Sequence, residues 1–140
     1  MKKKALGCFM AKRLTKALRE KRRWVGVMVD SSCQHRDDVE RHLNAMTSSL
    51  DSKPNIRLMD WWPPERRASL GEPTPLTVDH PHVGLAVIRI HLKDAHLLRG
   101  MLESGSAFEQ YGLQSLTTSG KIRLVRERMG LPRPKRHTQN

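Results

Sequence analysis

Val83-Gly84-Leu85-Ala86-Val87-Ile88-Arg89-Ile90-His91 is the most apolar stretch of the chain. Its aliphatic and β-branched side chains suit a central strand. Ala86, Ile88 and Ile90 would share one face, and Leu85, Val87 and Arg89 the other. A central strand is flanked on both edges, so its neighbours decide the fold. Upstream, Trp24-Val25-Gly26-Val27-Met28-Val29-Asp30 alternates in the same way, with Val25, Val27 and Val29 on one face and Trp24, Gly26 and Met28 on the other. Residues 55–61 read as a further strand, with Ile56 and Leu58 toward the core and Arg57, Met59 and Trp61 opposite. Residues 113–118 suit a fourth.

Helices fall between these strands. Ser31 and Ser32 offer caps, Asp37 and Asp38 suit a first turn, and Val39, Leu43, Met46 and Leu50 repeat at helical spacing, which predicts a helix over about 34–51. Asp94 can cap a second helix whose stripe is Ala95, Leu98, Met101 and Leu102, with Gly105 as its stop. Residues 121–129 fit two templates: Ile122, Val125 and Met129 a helix, Ile122 and Leu124 a strand. Residues 62–82 hold five of the eight prolines and read as a loop, long for a compact domain. The order strand-helix-strand, strand-helix-strand predicts an α+β, ferredoxin-like (RRM-like) fold: an antiparallel four-stranded sheet with helices on one face.

Charge divides the chain further. The 140 residues carry a net +12. Residues 1–23 hold ten basic side chains against Glu20, and residues 121–140 hold seven against Glu127, so these ends contribute +9 and +6. Residues 24–120 sum to −3. The organisation expected is a basic amphipathic helix within 1–23, a domain over 24–129 and a basic tail over 130–140. In the first segment Leu6, Phe9, Met10, Leu14, Ala17 and Leu18 share a helical face. Such dense like charge is readily accommodated beside a polyanion, whose phosphates it neutralises with release of counterions. A solvated face that keeps the protein in solution is the plainer alternative. The candidate RNA-binding residues are Lys12, Arg13, Lys16, Arg19, Arg22 and Arg23 at one end. At the other they are Lys121, Arg123, Arg126, Arg128, Arg133, Lys135 and Arg136.

Ser119-Gly120-Lys121-Ile122-Arg123 is a candidate phosphate site. If a helix starts there, its free N–H groups converge with the Lys121 and Arg123 side chains, with Ser119, Gly120 and Lys121 at its centre. On this reading Lys121 and Arg123 matter more for assembly than Arg57. The sheet face bearing Trp24, Met28, Met59, Trp61, Leu85 and Val87 would be apolar and open. It is either a protein interface or the seat of the amino-terminal helix.

Other chemistry has little support. The third strand lacks the aromatic residues with which RRMs stack bases. The seven histidines match no zinc spacing, and Cys8 and Cys33 have no CxxC partner, so no metal and no cofactor is expected. The cysteines read as reduced, partly buried thiols. Walker-type loops and nucleophile elbows do not occur. The Gly-x-Val-Gln-Gly loop of acylphosphatases, which share the expected fold, is missing. No apolar run is long enough to span a membrane.

Gly84-Leu85-Ala86-Val87-Ile88-Arg89-Ile90, with Ser119-Gly120-Lys121-Ile122-Arg123 and the helix-like run to Met129 about thirty residues on, resembles the small RRM-like protein subunits of ribonuclease P and ribonuclease MRP. In that family a strand ending in an aliphatic-Ile-Arg string precedes a helix, and a Ser/Gly-Gly-Thr-Ile-Arg motif follows a strand. Arg89, Gly120, Ile122 and Arg123 match, and Lys121 stands where the family has Thr. Residues 55–62 are similar to the family's second strand. The resemblance covers about residues 24–129. It implies a non-catalytic scaffold that braces structured RNA and docks on other subunits, in tRNA 5′-end maturation or rRNA processing, in the nucleus or nucleolus. The alternative expectation is a ribosomal protein, of the mitochondrial ribosome included, threading its basic ends between rRNA helices. The outsider is a small-molecule-binding or enzymatic domain of the same fold.

Overall fold

A computed structural model describes residues 21–51 and 53–132. Its elements are β1 (Arg22–Val29), α1 (Arg36–Thr47), β2 (Ile56–Trp62), a 3-10 helix (Pro64–Leu70), β3 (Gly84–His91), α2 (Leu92–Glu103), α3 (Ala107–Tyr111), β4 (Leu113–Ser119) and α4 (Ile122–Met129). The strands form one antiparallel sheet in the order β2-β3-β1-β4. The apolar stretch at 84–91 is therefore an inner strand, as its two apolar faces require. This α+β architecture is compatible with the arrangement expected from the element order. Arg22 and Arg23, expected to close the basic amino-terminal helix segment, belong instead to β1. The rest of that segment up to Glu20, and the tail beyond Pro132, lie outside the described residues.

Val25, Val27, Val29, Ala86, Ile88, Ile90 and Leu113 line one side of the sheet. Val39, Leu43 and Met46 of α1 and Ala95, Leu98 and Leu102 of α2 pack on them. Each aliphatic side chain buried there contributes roughly 1.5–3 kcal/mol. Cys33 joins this core fully buried. Burial pushes its thiol pKa up, and Asp38 and Asp30 add to the effect.

Local signals differ from expectation at several ends. α1 starts after His35, not at Ser31 or Ser32, because the Asp38 carboxylate accepts from the Gln34 and His35 N–H groups, both at 3.1 Å. Asp94 lies in the first turn of α2, whose N-cap is His91. The short helix α3 has no counterpart in the sequence reading. The Pro-rich connection is built rather than open. Arg67 donates to the carbonyls of His80 (2.5 Å) and Val83 (2.7 Å), and Arg66 sits 4.6 Å above the Trp62 ring. Thr74 Oγ1 donates to the Arg128 carbonyl at 2.7 Å, tying this segment to the end of α4.

Residues 121–129 resolve to a helix, and it lies across the second side of the sheet. Val125, Met129 and Leu131 pack there on Leu85 and Val87. Gly26 makes the approach possible: a Cβ at that position would lie 2.0 Å from Met129 Sδ and 3.1 Å from Val125 Cγ1. Gly130 then ends α4 at φ 72°, in the left-handed region, and its N–H is bonded back into the last turn.

Candidate nucleic-acid interface

α4 changes the status of the face expected to be open. Leu85 and Val87 are buried beneath it, and Met28 is only 8% exposed. Trp24 and Met59 are half-buried against the same cluster. Trp61 is not on this face. The β2–β3 register slips between Leu58 and Asp60, and the extra residue, Met59, reverses the alternation beyond it. Trp61 then pairs with Ala86 and packs on the α1–α2 side, while Trp62 takes the α4 side. The open apolar patch of Trp24, Met28, Met59, Trp61, Leu85 and Val87 is thus corrected. The cover includes α4, an element whose sequence fits a strand as well as a helix.

The same bulge aims Asp60 at α4. Arg126 Nε and Nη2 donate to the two Asp60 oxygens at 2.7 and 3.0 Å, and the side chains are 16% and 13% exposed. Arg126, expected to contact RNA, is instead a clamp between helix and sheet. Arg128 is exposed and donates to Thr117 Oγ1 at 3.0 Å and to the Thr118 carbonyl at 3.2 Å.

α4 starts where the Ser-Gly-Lys motif suggests a helix could begin. Lys121 is the N-cap, with no side-chain cap on the first amides and no acidic residue in the first turn. The Ser119 hydroxyl accepts from the Lys121 N–H at 3.1 Å. Lys121 and Arg123 are exposed. Cations at a helix start oppose the dipole, whereas an anion there would complement it. Arg23 adds to this spot: a Cβ at Gly120 would lie 3.3 Å from its guanidinium. Of the other candidates, Lys12, Arg13, Lys16, Arg19, Arg133, Lys135 and Arg136 lie outside the described residues.

The strands add Arg57 and Arg89, which sequence reasoning left out of the site, to Arg22, which it included. Arg57 pairs with Arg89, Arg89 with Trp24, and Trp24 with Ser119, so the four form one row across the sheet on the α4 side. Arg22, paired with His91, is the next residue along β1 on that face. Arg57 and Arg22 are exposed, and Arg89 is half-buried. Partial burial lowers the Arg89 pKa from its ordinary value, and Arg22 and Arg57 lower it further. The signal available beforehand was the strand alternation of Arg89; its pairing with Arg57 needed the register.

No protein-family model matches this sequence, and no curated protein matches it significantly.

Other features bear on the remaining expectations. Among the described residues no group of three His, Cys, Asp or Glu side chains is placed to hold a metal, and no helix is long and apolar enough to cross a membrane. A cavity of about 300 Å³ lies under the Pro-rich segment, walled by Leu70, Leu85, Met129 and Arg67 among others. Its Arg67 is committed to backbone carbonyls.

Proposed function

We propose that this protein is a non-catalytic RNA-binding scaffold with a ferredoxin-like, RRM-like fold. It is a subunit of a ribonuclease P/MRP-type ribonucleoprotein in the nucleus or nucleolus, acting in tRNA 5′-end maturation or rRNA processing. The observation that carries the reading is the start of α4. There the exposed Lys121 and Arg123 flank uncapped helix amides with no acidic residue in the first turn, and Arg23 lies close to Gly120. Phosphate oxygens would accept from those amides and neutralise those side chains. The site falls on the Ser-Gly-Lys-Ile-Arg motif that underlies the resemblance, and the motif's other half supplies Arg89 on the same side of the sheet. A scaffold uses such contacts to fix position on an RNA, while the chemistry belongs to the particle.

The test is recovery of the bound RNA. The protein purified from its source is expected to bring down a ribonuclease P- or MRP-like RNA together with other subunits. Recovery of ribosomal RNA without such an RNA would overturn the assignment in favour of a ribosomal protein. Recovery of no RNA would overturn both.

A further inference from the structure

We infer that Arg22, Arg57 and Arg89 form a second seat for an RNA phosphate backbone, on the sheet itself and beside the start of α4. The inference rests on the RNA-binding reading and adds to it a place and a ligand chemistry: phosphodiester groups held without base readout. Adjacent strands lie about 4.8 Å apart, so directly paired residues carry their side chains side by side. Like charges placed so are destabilising. Here Arg57 and Arg89 are paired, with Arg22 one row away on the same face. Among the described residues no carboxylate forms an ion pair with any of them, because Asp60, the acidic residue of β2, is taken by Arg126.

Several other arginines among the described residues have partners. Arg41 pairs with Asp38 and Arg99 with Glu103. Arg67 is wrapped by carbonyls. Arg36 donates to the Leu58 carbonyl. In the sheet row three arginines share one face without a carboxylate partner among the described residues. Guanidinium groups suit phosphate because their planar fork can donate two parallel hydrogen bonds. The row ends at Ser119, where the chain turns into the first amides of α4, so one strand of RNA could bridge the two seats. The ligand is assigned as phosphate backbone rather than an acidic protein because the neighbouring seat is itself a helix start suited to phosphate.

The test uses the full-length chain with the double variant Arg22→Gln/Arg57→Gln, both positions being exposed. Arg99→Gln on the opposite side serves as the control for loss of a positive charge elsewhere, and Lys121→Ala/Arg123→Ala reports on the α4 start. The probe is a hairpin RNA with a single-stranded overhang, titrated from about 50 to about 200 mM salt. Removing one protein–phosphate interaction lowers the slope of log K against log salt by about 0.7–0.9, so the slope of the double variant should be shallower by about 1.4–1.8. Its affinity at the low-salt end should fall at least about tenfold, while its thermal stability stays level or rises as like charge is relieved. Arg99→Gln should leave the slope as in wild type.

A wild-type slope in the double variant, with binding still abolished in the α4-start variant, would overturn this inference and leave the RNA-binding reading standing. Failure of the wild-type protein to bind the hairpin would overturn both. Binding of poly-aspartate that disappears in the double variant, with RNA binding intact, would reassign the seat to an acidic protein.

Discussion

On one side of the sheet, Val25, Val27, Ile88 and Ile90 lie fully buried under α1 and α2. On the other, Leu85 and Val87 lie under α4, while Arg89, Arg57 and Arg22 continue the same strands past its start. The first side is covered by α1 and α2 and serves the fold. The second is divided: part is core, and part is a cationic surface carried on the strands. A rigid sheet positions those arginines better than loops would, since their neighbours in the ladder fix their backbones.

Substitutions can separate the two sides. The largest effect is expected from Leu98→Ala, which opens a cavity where a helix meets the closed side. It should cost about 2–5 kcal/mol by chemical denaturation and weaken the whole domain together. Asp60→Asn comes next. It leaves the Arg126 guanidinium, only 16% exposed, without its charged acceptor, and should cost about 1.5–3 kcal/mol. Adding Arg126→Met should recover part of that loss, as a double-mutant cycle would show.

Gly26→Ala should cost about 1–3 kcal/mol, because the new methyl group must displace Met129 or lift α4. Hydrogen exchange is then expected to rise in α4 before it rises in α1 or α2. Uniform loss of protection would contradict the division of the two sides.

The smallest effect concerns the closed side alone. Donation by the Gln34 and His35 N–H groups holds the Asp38 pKa below its usual value. The stabilisation is therefore full above the ordinary carboxylate range and is lost as pH falls through the lowered pKa. Asp38→Asn should flatten the acid limb of a stability-against-pH curve and leave RNA binding unchanged.

Much of the closed side was legible in the sequence. The period-two alternation of 24–30 and 84–90 places Val25 and Ile88 inward, and the stripes of α1 and α2 meet them. The divided side was not, for three physical reasons. The reversal at Met59 depends on how β2 pairs with β3, which no local pattern encodes. Ile122, Val125 and Met129 fit helical spacing while Ile122 and Leu124 fit strand spacing, so the cover over Leu85 could not be assigned. Arg22, Arg57 and Arg89 are far apart in sequence and meet only through register. A charge of −3 summed over residues 24–120 makes the centre look unsuited to RNA, yet a net charge says nothing of where its signs converge. Arg57, ranked below Lys121 and Arg123 from sequence, shares a row with Arg89. Lys121 and Arg123 were legible because a Ser-Gly turn and a helix start are local.

The most direct test of the central claim is ultraviolet crosslinking of a bound hairpin RNA to the full-length protein, with the crosslinked peptides mapped by mass spectrometry. The account predicts crosslinks in the described domain at β1 near Arg22–Trp24, at Arg57, at Arg89 and over Ser119–Arg123. Crosslinks within that domain confined to α1 and α2 would contradict it.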